Sequence, residues 1–368
     1  MKLLEKVQLQ GKKVLLRVDF NVPIAFKESG KPQILDDSRI QAALPTIHYL
    51  LKRGVAKIIL ISHLGRPKGV YQREYSLWPV AQRLAQLLQS KKRFSSPQNQ
   101  YQIQENIILR ENVRFDPGEE KNERKFAQKL ADGADLFVND AFSCSHRAHA
   151  SVEGVGKLLP SVAGFQLQKE VENLSKILNP QRPFVCVMGG AKAKEKIAVM
   201  ENLASKTDFF LLGGVIANTF LKVKGFDIKS SVFAEEVLDI VKRYLDKFGN
   251  KIILPQEPRF GKKEGKEAIL DIGAKDSKRF ASYINQAKVI FWNGNLGVTE
   301  EHQYAQGSKK IAQYIVKSKA FTVAGGGDTV SFIRSIGLAE KFSFISLGGG
   351  AALEFLAGKR LPGLEILK

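Results

Sequence analysis

The chain has 368 residues, 44% of them apolar, and 57 Lys+Arg against 37 Asp+Glu give a formal charge of +20. That length exceeds what one hydrophobic core serves, so two domains are expected, with apolar content for two cores and a cleft between them. Cys144 and Cys186 are the only cysteines, which excludes a disulfide framework and fits a reducing cytosol.

The start, Met1 to Lys13, alternates apolar residues with Lys and Glu, and no later run approaches membrane-spanning length. The expectation is a soluble, untargeted, cytoplasmic protein with no membrane partner. So large a positive charge suggests nucleic acid, an acidic membrane or a small polyanion as partner. Residues 1–170 hold 27 Lys+Arg against 17 Asp+Glu and the rest 30 against 20, so no basic tail carries the excess. The densest cluster, Lys91-Lys92-Arg93, lies in a Ser/Gln-rich loop without interleaved aromatic residues and reads as a solvated turn.

Taken in chain order, short runs of Val, Ile, Leu and Phe alternate with amphipathic segments. Strands are predicted at Val14–Val18, Ile58–Ile61, Ile107–Leu109 and Leu136–Val138, then at Phe184–Met188, Phe209–Leu212, Ile252–Leu254, Val289–Trp292, Phe321–Ala324 and Phe342–Ile345. Helices are predicted at Leu77–Leu88, Glu123–Leu130, Leu167–Leu178 and Lys309–Val316. The order βαβα, with continuous rather than alternating apolarity, implies parallel sheets covered by helices on both faces. A boundary falls near Gly164, and the helix after it joins the halves, as a hinge or as an ordinary packing helix.

Ligands of an open parallel sheet bind beyond the carboxyl ends of its strands. In the first half those positions carry Asp19 and Asn21, then His63 and Arg66, then Arg114, then Arg147 within His146-Arg147-Ala148-His149. With Arg39, four arginines can converge, and guanidinium forks suit carboxylate and phosphate. The implied substrate is small and highly anionic. Cys144, His146 and His149 suggest zinc by residue type, but their spacing matches no familiar ligand pattern, and a zinc enzyme is disfavoured.

The equivalent edge of the second half is rich in glycine: Gly189-Gly190-Ala191-Lys192, Gly213-Gly214, Asn293-Gly294-Asn295, Gly325-Gly326-Gly327-Asp328-Thr329 and Gly348-Gly349-Gly350. Bare backbone N–H groups can approach phosphate oxygens, and an aspartate at the loop's end can hold a divalent ion. A tight turn needing glycine only for positive φ fits the last-named aspartate loop equally. Neither G-x-x-x-x-G-K-[ST] nor G-x-G-x-x-G occurs, which disfavours a Walker ATPase or a standard dinucleotide dehydrogenase.

Together these motifs resemble those of the phosphoglycerate kinase family, essentially over the whole chain. The resemblance is carried by Arg17-Val18-Asp19-Phe20-Asn21-Val22-Pro23, Asp37-Ser38-Arg39-Ile40, Ser62-His63-Leu64-Gly65-Arg66-Pro67, Glu111-Asn112-Val113-Arg114-Phe115, His146-Arg147-Ala148-His149-Ala150-Ser151, Gly189-Gly190-Ala191-Lys192 and Gly325-Gly326-Gly327-Asp328-Thr329. It implies two doubly wound, Rossmann-like parallel-sheet domains joined by a hinge helix. Residues 1–165 would bind phosphoglycerate, 166–350 the nucleotide, and 351–368 would return to the first domain.

The resemblance further implies reversible, Mg-dependent phosphoryl transfer between 1,3-bisphosphoglycerate and ADP, giving 3-phosphoglycerate and ATP, by a monomer whose domains close. By position, Asp19, Asn21, Arg39, His63, Arg66, Arg114 and Arg147 would bind phosphoglycerate, with Arg39 and Lys192 catalytic. Lys196, Gly213, Glu300, Gly326, Gly327, Asp328 and Thr329 would bind nucleotide, with Asp328 on Mg. Departures gather on the nucleotide side: Ala193-Lys194-Glu195, Val215 for a glycine, Ala274 and Asn295 for prolines, and Thr299 for phenylalanine. On the substrate side Ser143-Cys144-Ser145 replaces the usual Gly-Thr-Ala. A competing reading keeps the fold as a non-catalytic polyanion- or RNA-binding protein; against it, the residues needed for transfer are present, and no nucleic-acid partner is expected.

Overall fold

The computed structural model describes residues 1–26, 28, 30–90 and 99–368, which leaves Lys91-Lys92-Arg93 outside the described residues. The chain divides into two compact units, Met1–Val171 with Arg360–Lys368, and Glu172–Lys359. Strands of the first unit are β1 (Lys13–Arg17), β2 (Ile24–Phe26), β3 (Pro32–Ile34), β4 (Lys57–Ile61), β5 (Gln100–Gln104), β6 (Ile107–Arg110), β7 (Leu136–Asn139) and β8 (Ser161–Ala163). Those of the second are β9 (Phe184–Met188), β10 (Phe209–Leu212), β11 (Ile252–Ile253), β12 (Arg259–Lys263), β13 (Lys266–Asp271), β14 (Val289–Asn293), β15 (Phe321–Gly325) and β16 (Phe344–Ile345).

Each unit holds a six-stranded sheet, ordered β5-β6-β4-β1-β7-β8 in the first and β11-β10-β9-β14-β15-β16 in the second. Both are doubly wound, as expected: the chain works outward from β1 or β9 on one side, then crosses back to build the other. The second sheet is parallel throughout. The first departs from a purely parallel sheet, because β5 pairs antiparallel with β6 at its edge. Residues 100–104 read QYQIQ and bury only Tyr101 and Ile103, the alternation of an edge strand rather than the unbroken apolarity of a central one. Two-stranded ribbons, β2-β3 and β12-β13, also lie outside the βαβ pattern.

Central strands are buried on both faces. In β1, Val14 and Leu16 enter one core with Ile58, Leu60 and Val138, while Leu15 enters a second with Ile59, Ile61 and Phe137. In the second unit Val185, Val187, Ile290 and Trp292 from β9 and β14 share a core with Ile311 and Ile315 of the helix Gln306–Lys317. Among the described residues no helix is long and apolar enough to cross a membrane.

The helix Phe165–Leu178 carries the chain from one unit into the other. Its first turn is fixed to the first unit. Asp140 Oδ1 accepts from the backbone N–H of Gln166 at 2.8 Å and of Leu167 at 3.2 Å, and Thr46 Oγ1 accepts from Phe165 N at 3.0 Å. Orphan N–H groups of a helix start are thereby satisfied. Burial pushes the Asp140 carboxyl up to about 7, against the pull of these hydrogen bonds. Gly164 has to be glycine here, since a Cβ would collide with the Asp140 carboxylate. The division between units falls inside this helix rather than at its start, and Gly350–Leu356 stays with the second unit by packing on Ala193–Leu203.

The returning segment is pinned by main chain. Gly363 N donates to Ser145 O at 2.9 Å, Asn139 Nδ2 donates to Gly363 O at 2.9 Å, and Lys2 N donates to Leu367 O at 2.6 Å. A Cβ on Gly363 would lie 2.6 Å from Ser145 Oγ and 2.8 Å from its Cα. Gly363→Ala should therefore lower the unfolding free energy by about 1–3 kcal/mol through overpacking. Denaturant titration of the variant checks this, and an unchanged midpoint would show that the segment docks more loosely.

Candidate active site

The first unit gathers its polar residues beyond β1, β4 and β7. Arg17, the last residue of β1, is 1% exposed and forms the floor. Its Nε donates to Ser151 Oγ at 3.0 Å, Nη1 to the Val18 carbonyl, and Nη2 to His63 Nδ1 at 3.2 Å and Cys144 Sγ at 3.7 Å. Ser151 Oγ in turn donates to Glu119 Oε1 at 2.6 Å, and Ser151 N donates to Glu119 Oε2 at 2.9 Å. Burial pushes the Glu119 carboxyl up, but His149, the Arg17 charge and Ser151 outweigh it, and the group sits below its ordinary range. A buried guanidinium is thus matched by a buried carboxylate through one hydroxyl.

Above this floor stand the residues singled out from sequence. Asp19 accepts from Arg39 Nη1, from Ser143 Oγ, and from Asn21 N at 3.0 Å. Asn21 Oδ1 in turn accepts from Gly65 N at 3.0 Å, and Gly65 O accepts from Arg114 Nη1 at 2.6 Å. Arg147 Nε donates to His146 Nε2 at 3.2 Å. His63 is buried, and burial followed by the charges of Arg17, Arg114, Arg39 and Arg147 holds its ring well below the ordinary 6.5. Three of the four predicted arginines therefore converge electrostatically on His63. Arg66 is exposed and is not among those charges.

The second unit's edge is made of main chain. Gly189 N donates to Asn293 O at 3.0 Å and Gly190 N to Asn295 O at 2.7 Å, so the loops after β9 and β14 touch backbone to backbone. A Cβ on Gly189 would collide with the Asn295 carbonyl, and one on Gly213 would lie 2.6 Å from Leu296 Cδ2. Thr329 Oγ1 accepts from Gly294 N at 2.7 Å, and Asn293 Nδ2 donates to Gly325 O at 2.9 Å, which ties in the loop after β15. Gly326 has φ +93, and nothing lies within 4 Å of where a Gly327 Cβ would stand. The helix Gly327–Ser335 begins there, with Asp328 in its first turn.

Lys196 is the one buried lysine among the described residues, 5% exposed. Its Nζ lies 3.8 Å from the Cβ position of Gly190, its Cε 2.9 Å from that of Gly294. Burial lowers its pKa; Lys192 adds to this, while Glu195 and Asp328 oppose it. Lys192 and Asp328 thus both act on Lys196 at one loop cluster. Glu300 is exposed, one residue past Thr299, and Thr299 Oγ1 accepts from Asn295 Nδ2 at 2.7 Å. Two of the departures from the family pattern have therefore paired with each other.

A family model described as Phosphoglycerate kinase matches residues 4–359. The chain belongs to the phosphoglycerate kinase family. It is 44% identical to the phosphoglycerate kinase of Borreliella afzelii, covering 97% of this chain and 96% of that protein. It is also 44% identical to that of Finegoldia magna, covering 100% and 98%. Among solved structures, phosphoglycerate kinase from Coxiella burnetii superposes with a TM-score of 0.85 at 38% identity, over 99% of this chain and 98% of that one. That from Pyrococcus horikoshii OT3 gives 0.84 at 31% identity, over 100% and 98%. The chain is accordingly a kinase that moves a phosphoryl group between 1,3-bisphosphoglycerate and ADP, giving 3-phosphoglycerate and ATP. Nothing in the comparisons favours the polyanion-binding alternative.

Arg17, Glu119 and Ser151 were given no site role from sequence, although Arg17 and Ser151 lie within the motifs, and Ser143 and Cys144 entered only as departures, Cys144 also as part of a disfavoured zinc set. Arg17 has a signal only in retrospect: an arginine ending an apolar strand run cannot be a surface ion pair if that strand is central. Burying the Lys196 ammonium costs stability. The unfolded chain keeps its proton up to the ordinary 10.5, whereas the fold releases it at lower pH, so stability rises with pH across that interval. Lys196→Met should be more stable than the parent at neutral pH and lose that rise; unfolding midpoints from pH 7 to 10 measure it, and a destabilised variant would contradict it.

Proposed function

We propose that the charged edge of the first unit binds the phosphoglycerate and the glycine edge of the second binds the nucleotide. Convergence of Arg39, Arg114 and Arg147 on His63, with Asp19 and Asn21 orienting them, is the observation that carries this assignment. Guanidinium forks pair with the substrate's phosphate and carboxylate, Asp19 and Asn21 face its hydroxyl side, and Arg66 supplies a further cation from the rim. Lys196, held among the loops, meets the nucleotide phosphates along with the N–H groups of Gly326, Gly327 and the first turn holding Thr329. Gly213 lets the nucleotide approach main chain, and Glu300 bonds the ribose.

Asp328 fits magnesium: it is an exposed carboxylate at a phosphate loop, and magnesium takes one or two carboxylates plus substrate phosphates while keeping waters. The ion supplies charge to the phosphates when bound. The chain's own residues do the rest. The attacking group is a carboxylate or phosphate oxygen that is already ionised, so no side chain has to act as a base. Lys192, exposed at the start of the helix Ala193–Leu203, steadies the transferring phosphoryl group, and Arg39 meets it from the acceptor. Because acceptor and donor belong to different units, turnover requires the two edges to meet about the linking helix and to exclude the water that would hydrolyse the acyl phosphate.

The same reading takes the protein as a cytoplasmic monomer without a nucleic-acid partner. Both cysteines are free and buried, in keeping with a reducing compartment. A coupled assay should show Mg-dependent consumption of ATP with 3-phosphoglycerate. Lys192→Ala and Arg39→Ala should each lose roughly 100- to 1000-fold in kcat with unchanged circular dichroism. Full activity in both variants would refute the roles given to them.

A further inference from the structure

The hydrogen bonds beneath the first unit's charged edge fix which nitrogen of His63 carries its proton. A guanidinium has only donors, so the 3.2 Å contact from Arg17 Nη2 makes His63 Nδ1 the acceptor. A neutral imidazole with an accepting Nδ1 holds its hydrogen on Nε2, and a second proton would have to sit on Nδ1, facing the guanidinium. Among the described residues Nε2 has no hydrogen-bond partner, which leaves its N–H for a ligand. Cys144, where the family usually has threonine, offers Nη2 only a sulfur at 3.7 Å. Sulfur accepts weakly, so His63 is the main partner of that nitrogen.

Arg17 is aimed from its other side. Its Nε donates to Ser151 Oγ at 3.0 Å, and the single proton of that hydroxyl goes to Glu119 Oε1 at 2.6 Å, so the oxygen keeps its lone pairs for the arginine. Glu119 Oε2 accepts from Ser151 N at 2.9 Å, and Glu119 O accepts from Ala150 N at 2.9 Å. Ser151 therefore presents two donors, and a carboxylate is the side chain of this length that accepts both; glutamine supplies one acceptor and an unwanted N–H₂. Apart from Ser151, the Glu119 carboxylate meets His149 Nδ1 at 3.6 Å, and neither residue is assigned to phosphoglycerate. Glu119 is fully buried, as Arg17 is, so without it the guanidinium loses its one buried counter-charge on that side.

We propose that Glu119 is a positioning residue of the acceptor site: through Ser151 it aims the Arg17 fork at His63 Nδ1, and so presents the ring to phosphoglycerate as a neutral donor through Nε2. The aiming follows from contacts within the first unit; its use by the substrate rests on the assignment of His63 to phosphoglycerate. In the whole protein labelled with nitrogen-15, two-bond nitrogen–proton spectra distinguish the imidazole tautomers, and His63→Gln identifies the signal among the five histidines. The parent at neutral pH should show a neutral ring with its hydrogen on Nε2. Glu119→Gln should populate both tautomers. Ser151→Ala breaks the same linkage without altering a buried charge and should give the same mixture.

In the coupled assay both variants should raise KM for 3-phosphoglycerate on the order of 10- to 100-fold and leave KM for ATP unchanged. The loss should fall on KM more than on kcat, since His63 holds the acceptor before and during transfer alike. A parent ring with hydrogen on Nδ1, or an unmixed Nε2 tautomer in both variants, overturns the linkage. Adding 3-phosphoglycerate should shift the His63 nitrogens of the parent. No shift refutes the assignment of His63 to that substrate, whereas a shift together with an unchanged KM in both variants refutes the role of Glu119 alone.

Discussion

Where a parallel sheet is wound outward from a central strand in both directions, the chain leaves two adjacent strands toward opposite faces, and a crevice opens at their carboxyl ends. That happens between β1 and β7 in one unit and between β9 and β14 in the other. Backbone groups at those ends have no further ladder partner, and they must find side chains, other loops or ligand. Arg17, His63 and Cys144 collect at the first crevice; Gly189, Asn293 and Gly294 collect at the second. The chemistry of this protein is a consequence of where its strand order reverses.

The two crevices satisfy that demand in different ways. The first uses charged side chains braced from below: Arg17 is buried, its fork is spread over Val18, Ser151, His63 and Cys144, and Glu119 balances it through Ser151. The second uses main chain braced against main chain, with Gly189 and Gly190 against Asn293 and Asn295. Guanidinium groups fix orientation and suit a small acceptor that must be held one way round. On the proposed assignment the loop N–H groups would donate to nucleotide phosphates beside Lys196, whose burial disfavours its charged form.

Much of this was legible in the sequence, and the misses share a cause. Phe184–Met188 and Phe209–Leu212 are unbroken apolar runs that coincide with β9 and β10, because a strand buried on both faces has no polar position to confuse it. Gln100–Gln104 escaped because half its residues face water, and Arg259–Lys263 because its charges read as loop. At the site, residue type and strand-end position identified Asp19, His63, Arg114 and Arg147. Contact across the sheet could not be read. Sequence proximity sets Cys144 beside His146 and His149, whereas the fold carries it to Asp19 and His63 from two other strands.

Hydrogen–deuterium exchange with each ligand alone tests the division of labour between the two crevices most directly. Binding of 3-phosphoglycerate should slow exchange at residues 19–21, 63–66 and 143–147 and leave the glycine loops unchanged. ADP with magnesium should slow exchange at residues 189–196, 293–297 and 325–329 and leave the first set unchanged. Protection of the glycine loops by 3-phosphoglycerate alone, or of the arginine edge by ADP alone, would contradict the account.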